Sequence, residues 1–184
     1  MRKLMFALLY TALALVANPG VAEVTDIAAL REGDMRKLIL HDTPEPGSDV
    51  SFTAADGTEA TLADYQGKYV LVNFWATWCA PCRKEMPMLG DMQTQLGGAD
   101  FEVVTIATGR NPRPAMERFF EEIAVDNLPL HTDPRQALAR SLGVLGLPVT
   151  LILNPEGQEV ARLQGDADWS SDSAYAIIAA LLAE

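Results

Sequence analysis

Residues 69–87, YVLVNFWATWCAPCRKEMP, constrain the fold more than any other stretch of the 184-residue chain. The run YVLVNFW is rich in β-branched and aromatic residues, which is typical of a strand buried on both faces. The sequence APCRKEMPMLGDMQTQL suits a helix that begins at about Cys79, with a kink expected at Pro87. The only two cysteines, Cys79 and Cys82, therefore lie where a buried central strand gives way to a helix.

Strands and helices alternate on either side of this unit. Asp56-Gly57 is a strong hairpin turn signal between two short strands within 50–65. The later predicted elements are a buried strand at 101–107, a helix at 114–124, a short strand at 128–131, a helix at 133–143 with Asp133 as N-cap, Pro134 at N1 and Gly143 closing it, a hairpin with strands at 149–153 and 158–164, and a helix at about 170–182. Alternation predicts parallel pairing in the middle of the sheet and antiparallel pairing in the hairpins. We therefore predict an α/β fold with a mixed central sheet flanked by helices.

Residues 1–22 have the layout of a secretory signal peptide. Arg2 and Lys3 precede an apolar run that ends near Ala17, and Gly20-Val21-Ala22 offers small residues to a signal peptidase. We expect cleavage after Ala22 and export to the periplasm. An uncleaved membrane anchor is the alternative, but the apolar run is roughly 14 residues, which is short for a membrane span.

Residues 23–48 are interpreted as an N-terminal leader and linker that precede a domain at 49–184. The leader is predicted to hold a short helix interrupted by Gly33, and HDTPEPGSD (41–49) reads as a linker because it is rich in Pro, Gly and Asp. The chain has a formal net charge of −11, which argues against nucleic acid as a partner because phosphate binding requires a cationic surface.

The spacing of the cysteines limits what the pair can do. A disulfide can persist after export, but one between Cys79 and Cys82 would close a very short loop, and the stabilisation from a structural disulfide grows with loop length. A closed zinc site needs about four ligands, and His41 and His131 are not spaced as in a zinc module. We interpret both histidines as solvated strand-end or loop residues.

A copper site is the second alternative. Two thiolates suit Cu(I), and Met86, Met88 and Met92 on the following helix could add soft sulfur ligands. We favour the interpretation that these methionines pack the helix against the sheet. A Cu(I)-binding metallochaperone that uses Cys79 and Cys82 stays open as an alternative function.

Thiol–disulfide exchange suits the predicted placement of the pair. At a helix N-terminus, free N–H groups and the helix dipole favour the thiolate, so the pKa of Cys79 should lie below that of free cysteine. Cys82 is nearly one turn further on, within reach of Cys79 but less exposed, and can resolve a mixed disulfide formed by an exposed Cys79. Pro81 lies in the first turn, where its missing N–H costs little.

The stretch GKYVLVNFWATWCAPCRKEMP resembles the active-site region of the thioredoxin superfamily, and most of all its exported TlpA/ResA/CcmG-like branch. The W-C-x-P-C signature, Gly67-Lys68 before the strand, Glu85 after the second cysteine and GLPVT before the last hairpin all stand where that branch has them. The resemblance covers about residues 45–184. It implies a thioredoxin-like three-layer fold with an N-terminal β-hairpin and a central helical insertion around 114–124.

The resemblance also implies a set of site residues. Pro148 matches the cis-proline that faces the disulfide, and Leu147 would offer its backbone to an extended substrate segment. Trp78 would flank and shield the first cysteine, whereas Trp75 is expected to pack. The predicted catalytic residues are Cys79, Cys82 and Glu85, and the predicted substrate-binding residues are Trp78, Pro81, Leu147 and Pro148.

Glu85 and Asn73 define the predicted acid–base character of the site. Glu85 matches the acidic residue that tunes the cysteines in this branch, and a carboxylate near two thiols raises their pKa and can relay protons. Thioredoxin itself has a buried acid on the strand before the motif, where this chain has Asn73. Asn cannot act as a general base, so we expect Glu85 or water to do so.

The resemblance implies a periplasmic thiol–disulfide oxidoreductase that reduces disulfides in other exported proteins. Apocytochrome c before haem attachment and copper-site assembly proteins are typical targets of the branch, and a membrane electron carrier would re-reduce the pair. We expect a monomer without a cofactor. A thiol peroxidase is disfavoured, because Thr77-Trp78-Cys79 lacks the T-x-x-C pattern of that chemistry. The motif alone does not fix the direction of electron flow.

Overall fold

The computed structural model describes residues 27–183, so the signal peptide predicted for residues 1–22 lies outside the described residues. Within 27–183, the strands are β1 Ile39–Glu45, β2 Phe52–Thr53, β3 Glu59–Ala60, β4 Tyr69–Trp75, β5 Phe101–Thr108, β6 His131–Asp133, β7 Val149–Leu153 and β8 Glu159–Gln164. The α-helices of this region are α1 Ala80–Leu96, α2 Arg113–Glu122, α3 Ala137–Ser141 and α4 Asp172–Leu182. None of the helices in the described region is long and apolar enough to cross a membrane.

The strands form one mixed sheet in the order β1-β8-β7-β4-β5-β6-β2-β3. β4, β5 and β6 are parallel neighbours, whereas β7 runs antiparallel to β4, and β8 runs antiparallel to β7. β2 and β3 form the predicted N-terminal hairpin. The predicted α/β architecture, with parallel pairing in the middle and antiparallel hairpins, is confirmed.

β4 lies at the centre of the sheet and is buried on both faces, as its composition predicts. Leu71 and Trp75 pack in the cluster that also holds buried residues of α1, α2 and α4, whereas Val72 and Phe74 pack on the other face with residues of α3 and the hairpin. Each such side chain stabilises the fold by about 1.5–3 kcal/mol. The result is three layers, and by alternation Asn73 projects on the same side as Leu71 and Trp75, toward the α1 face.

The helical insertion between β5 and β6 packs on the end of β4. The ring of Trp75 lies 4.8 Å from that of Phe119 and 5.2 Å from that of Phe120, centroid to centroid. The guanidinium of Arg83, on α1, lies 4.4 Å from the Phe119 ring centroid and pairs with Glu122 at 2.9 Å. The prediction that Trp75 packs is confirmed, and α2 lies against the beginning of α1.

The N-terminal segment departs from one sequence expectation. The short helix predicted in the leader is present, as two short 3-10 helices, Ile27–Leu30 and Gly33–Lys37. The linker predicted for 41–49 is a strand as far as Glu45, since β1 pairs antiparallel with β8. β1 is an edge strand that is exposed over most of its length, so it needs few apolar residues and tolerates Pro44.

The helix predicted for 133–143 is shorter and differently capped. α3 begins at Ala137 after Gln136, so Asp133 is not its N-cap and Pro134 is not at N1. Asp133 ends β6, and its carboxylate still accepts hydrogen bonds from the N–H groups of Ala137 at 2.8 Å and Ala139 at 2.9 Å. Elsewhere, Gly143 follows the helix with a positive φ, as predicted, and α1 continues through Pro87.

Candidate active site

Cys79 and Cys82 form a disulfide at the beginning of α1. The sulfurs are 2.00 Å apart and the Cα atoms 5.3 Å apart. Cys79 is the N-cap, and the backbone N–H of Cys82 donates to its sulfur at 3.3 Å. An N–H directed at this sulfur, together with the helix dipole, stabilises a thiolate there after reduction.

The two cysteines differ in exposure less than the sequence suggests. The prediction that Cys79 is exposed is wrong for this oxidised form, in which Cys79 is 5% exposed and Cys82 is fully buried. The predicted order of exposure is nevertheless retained. Trp78 is 67% exposed beside them, and Pro81 lies in the first turn of α1 as predicted.

A shallow groove lies next to the disulfide loop. A cavity of about 260 Å³ is lined by Trp78, Leu145 and Leu147, among others, and Leu145 is 94% exposed. The Leu147–Pro148 bond is cis, as the resemblance implies. Phe74 pairs with Val149, so Pro148 lies level with the end of β4, at the sheet edge from which the cysteine loop leaves. The groove therefore presents apolar surface and the cis-proline loop at one edge of the sheet.

Glu85 is a buried carboxyl group on α1, one turn after Cys82. It is 1% exposed. Its Oε1 accepts hydrogen bonds from the indole N–H of Trp169 at 2.9 Å and from the backbone N–H of Ala167 at 3.0 Å. Its Oε2 accepts no hydrogen bond from the described residues. The carboxyl group is thus held on one side only.

Burial raises the pKa of Glu85 to about 7, from an ordinary value of 4.5. Hydrogen bonds from Trp169 and Ala167 act in the opposite direction because they favour the carboxylate, and the polar side chain of nearby Asn73 also lowers the pKa. The nearby charge of Asp166 adds a small increase to the pKa. An acid with a pKa near neutrality can both donate and accept a proton under physiological conditions.

Asn73, where thioredoxin has an acid, is fully buried within this layer. Its Nδ2 donates to the hydroxyl of Thr150 at 2.9 Å, and its Oδ1 has no partner among residues 27–183. The amide of Asn73 cannot change its charge. Asn73 therefore cannot take a proton in this layer, whereas the buried carboxyl group of Glu85 on α1 can.

Asn111 fastens the loop that precedes the disulfide. Its Oδ1 accepts from the backbone N–H and the hydroxyl of Thr77, and its Nδ2 donates to the carbonyl oxygen of Thr108 at 2.9 Å. The end of β5 is thereby tied to the turn that carries Trp78 and Cys79. Sequence reasoning missed this residue, since TGRNPRP (108–114) reads only as a loop.

Trp169 and Ala167 were also outside the predicted site. They lie more than 80 residues from Glu85 in the chain, in a short polar stretch after β8. In the sequence, Trp169 stands out as a large aromatic residue within the polar stretch ADWSSD. Neither helix nor strand periodicity explains why it would be buried there. Its acceptor is visible only in the structure.

The methionines and histidines pack within the fold. Met86 and Met92 are fully buried and Met88 is partly buried against the same core, which confirms their interpretation as packing residues. The interpretation of His131 as a solvated residue is wrong, because it is 7% exposed. His41 is not a free surface histidine either, since its Nε2 lies 2.8 Å from a carboxylate oxygen of Glu159.

Residues 45–161 match the AhpC/TSA family. The chain belongs to this family. It is 34% identical over 122 residues to the thiol-disulfide oxidoreductase ResA of Bacillus subtilis, an alignment that covers 65% of this chain and 67% of ResA. The chain spans 67% of the length of this ResA and 58% of the length of the ResA of Geobacillus thermodenitrificans, to which it is 32% identical over 103 residues.

Two solved structures share the fold. A thiol:disulfide interchange protein of the thioredoxin family from Chlorobium tepidum superposes with a TM-score of 0.62 at 25% identity, covering 77% of this chain and 99% of its own. The exposed lipoprotein thioredoxin Etrx1 of Streptococcus pneumoniae gives a TM-score of 0.60 at 26% identity, covering 74% and 100%. With the Cys79–Cys82 disulfide, these similarities identify a thioredoxin-like thiol–disulfide oxidoreductase.

Proposed function

We propose that the chain is an exported thiol–disulfide reductant in which Cys79 attacks the substrate and Cys82 resolves the mixed disulfide. The observation that carries the proposal is the placement of the pair. The disulfide caps α1, Cys82 is fully buried behind Cys79, and a buried carboxyl group lies one turn further along the same helix. Only a small part of the pair faces solvent, and that part belongs to Cys79.

The reaction begins with the reduced pair. The Cys79 thiolate attacks one sulfur of a substrate disulfide, forms a mixed disulfide and releases the other substrate sulfur as a thiolate. The Cys82 thiolate then attacks the Cys79 sulfur, which releases the second substrate thiolate and closes the Cys79–Cys82 disulfide. Two electrons pass from the pair to the substrate, and two protons neutralise the released thiolates.

Glu85 is proposed to handle one of these protons. The resolving thiol must lose its proton before it attacks, and Glu85 is three residues from Cys82 on the same helix face. Its pKa of about 7 lets the carboxylate accept that proton and the acid return it. A second effect follows from its charge, because a nearby carboxylate raises the pKa of the thiols by repulsion.

Substrate recognition is assigned to the groove beside the disulfide. Trp78 and Pro81 from the α1 side and Leu147 and Pro148 from the β7 side would border the reacting sulfur, and an extended cysteine-containing segment fits such a surface. Exposed Trp78 and Leu145 suit an apolar side chain of the substrate. Short peptide segments around a cysteine pair are therefore the proposed substrate class.

A periplasmic location is supported by the signal-peptide layout at residues 1–22 and by the description of one structural relative as an exposed lipoprotein. In an oxidising compartment a reductant needs a continuous supply of electrons, so we propose a membrane electron donor. Apocytochrome c or a copper-site assembly protein is the proposed target, by resemblance to the TlpA/ResA/CcmG-like branch, and the protein is proposed to act as a monomer.

Single cysteine variants test the assignment of roles. In an insulin-disulfide reduction assay, Cys79→Ser should be inactive, and Cys82→Ser should accumulate a mixed disulfide with insulin that mass spectrometry detects. Retained turnover in Cys79→Ser, or mixed disulfides trapped by Cys79→Ser but not by Cys82→Ser, would reverse the roles. Wild-type protein without reducing activity would refute the proposed function itself.

A further inference from the structure

The stretch after β8 contacts both halves of the candidate site. We define the post-β8 segment as residues 165–169. The N–H of Gly165 donates to the carbonyl oxygen of Pro148 at 2.9 Å, whereas Ala167 and Trp169 donate to Glu85. One short segment therefore holds the cis-proline loop at one end and the buried acid at the other.

The post-β8 segment is also fixed from the outside. The ammonium group of Lys37 donates to the carbonyl oxygen of Asp166 at 2.6 Å, and the N–H of Asp168 donates to the Asp34 carboxylate at 3.2 Å. Lys37 and Asp34 are themselves paired at 3.0 Å. The 3-10 helix Gly33–Lys37 thus holds the post-β8 segment in place. This fixes the position from which the indole N–H of Trp169 donates to Glu85.

The bonding of Glu85 distinguishes its two oxygens. Both donors meet at Oε1, and Oε2 accepts none from the described residues. A proton can bind to Oε2 and leave it while both hydrogen bonds to Oε1 stay in place, but a proton on Oε1 would compete with them. The arrangement therefore selects Oε2 as the oxygen that exchanges a proton.

We propose that Trp169 is a positioning residue that holds Oε1 of Glu85 and so leaves Oε2 to exchange a proton with the cysteine pair. The inference rests on the role of Glu85 in the proposed function. Trp169 is 1% exposed and its indole N–H donates to Glu85, so we assign it an action through Glu85. Its hydrogen bond favours the carboxylate, against the effects of burial and of Asp166.

Trp169→Phe removes the donor and keeps an aromatic ring. Trp75→Phe is the matched control, because Trp75 is also fully buried, and its indole N–H has no acceptor among the described residues. Both variants lose the same atoms from the same core. In the oxidised protein, the pKa of the Glu85 side-chain carboxyl, measured by carbon-13 NMR, should rise by about one pH unit in Trp169→Phe and stay unchanged in Trp75→Phe.

A measurement on the wild-type chain avoids the risk that a core variant fails to fold. The indole N–H resonance of Trp169 should shift with pH at the midpoint of the Glu85 titration, and the Trp75 resonance should not. Glu85→Gln should abolish the shift. A Trp169 resonance that ignores the Glu85 titration, or a Glu85 pKa that moves equally in both Phe variants, would overturn the proposal.

The pH dependence of insulin reduction separates this inference from the proposed function. If the profile of Trp169→Phe moves with the Glu85 pKa, both are supported. If the Glu85 pKa rises but the profile stays where it is in the wild type, Trp169 does position Glu85, and the proton-transfer role of Glu85 in the proposed function is what fails.

Discussion

The side-chain oxygen of Asn111 accepts two hydrogen bonds from Thr77, one from its backbone N–H at 2.8 Å and one from its hydroxyl at 3.0 Å. Thr77 is two residues before Cys79, and Asn111 lies in the loop after β5. This contact joins two neighbouring parallel strands at the edge where the disulfide lies. The position of Cys79 thus depends on a side chain more than 30 residues away in the chain.

Asn111→Ala should loosen the disulfide loop. Thr77 loses the acceptor for both of its donors in a nearly buried place, so we expect a loss of about 1–3 kcal/mol in the free energy of unfolding. Because a small misplacement of a reacting group is costly, insulin reduction should slow by roughly tenfold. Denaturant unfolding and the insulin assay measure the two effects.

Asn127→Ala is the control for this prediction. Asn127 also donates two side-chain hydrogen bonds, to Gly90 and Thr94 in the middle of α1 and near its end, away from the disulfide. It should lower stability without slowing insulin reduction. Equal rates in the Asn111 and Asn127 variants would show that Asn111 contributes to stability only.

Glu85 makes the stability of the oxidised protein depend on pH. Its folded pKa of about 7 lies above the ordinary 4.5, so the folded state retains a proton that the unfolded state loses between these values. Its stabilising contribution is full below pH 4.5 and is lost as the pH rises to about 7. Relative to Glu85→Gln, the wild type should lose about 3 kcal/mol over this range. A constant difference in unfolding free energy between pH 4.5 and 7 would contradict the raised pKa.

His131 should remain neutral under mildly acidic conditions. Its Nδ1 accepts from the N–H of Ala55 at 2.9 Å, so the proton of the neutral ring is on Nε2, which faces the Tyr65 hydroxyl at 2.9 Å. Burial lowers the pKa of His131 below 6.5, against the opposing charges of Glu102 and Asp56. The stability it contributes is therefore lost as the pH falls from 6.5 through the folded pKa. Imidazole NMR should give a midpoint below 6.5, and a midpoint at or above 6.5 would refute the assignment.

The packing of Phe119 on Trp75 should contribute far more to the free energy of unfolding than the exposed ion pair between Arg83 and Glu122. Phe119 is 2% exposed and packs on Trp75, so Phe119→Ala should cost about 3–5 kcal/mol. The Arg83 side chain is 42% exposed, and Arg83→Ala should cost under about 1 kcal/mol despite its contacts with Phe119 and Glu122. Chemical unfolding of both variants checks the contrast, which fails if the two losses are similar.

The local signals in the sequence predict most of the central fold. The apolar run of β4, the Pro at the start of α1 and the turn at Asp56-Gly57 each act over a few residues, and all lie where predicted. β1 was missed because an exposed edge strand carries no alternating apolar pattern. The start of α3 was misplaced because Asp133 is not adjacent to the helix. Its carboxylate accepts from the N–H groups of Ala137 and Ala139 in the first turn of α3, but Gln136 is the N-cap.

The environment of the site could not be predicted in the same way. The cysteines, Glu85 and the cis bond before Pro148 follow from a contiguous motif and one short loop. The hydrogen-bond partners of Glu85 do not follow from the motif, because Trp169 is 84 residues further along the chain, after the last strand of the sheet. Burial and hydrogen bonding of a titratable group depend on such distant contacts, so the pKa of Glu85 requires the structure.

The reduction potential of the Cys79–Cys82 pair tests the central claim most directly. Equilibration of the full chain with glutathione or dithiothreitol buffers, followed by thiol labelling, gives its value. A reductant should have a potential near or below the roughly −270 mV of thioredoxin. A potential near the roughly −120 mV of strong oxidants would contradict the account, since electrons would then flow from substrate thiols to the pair.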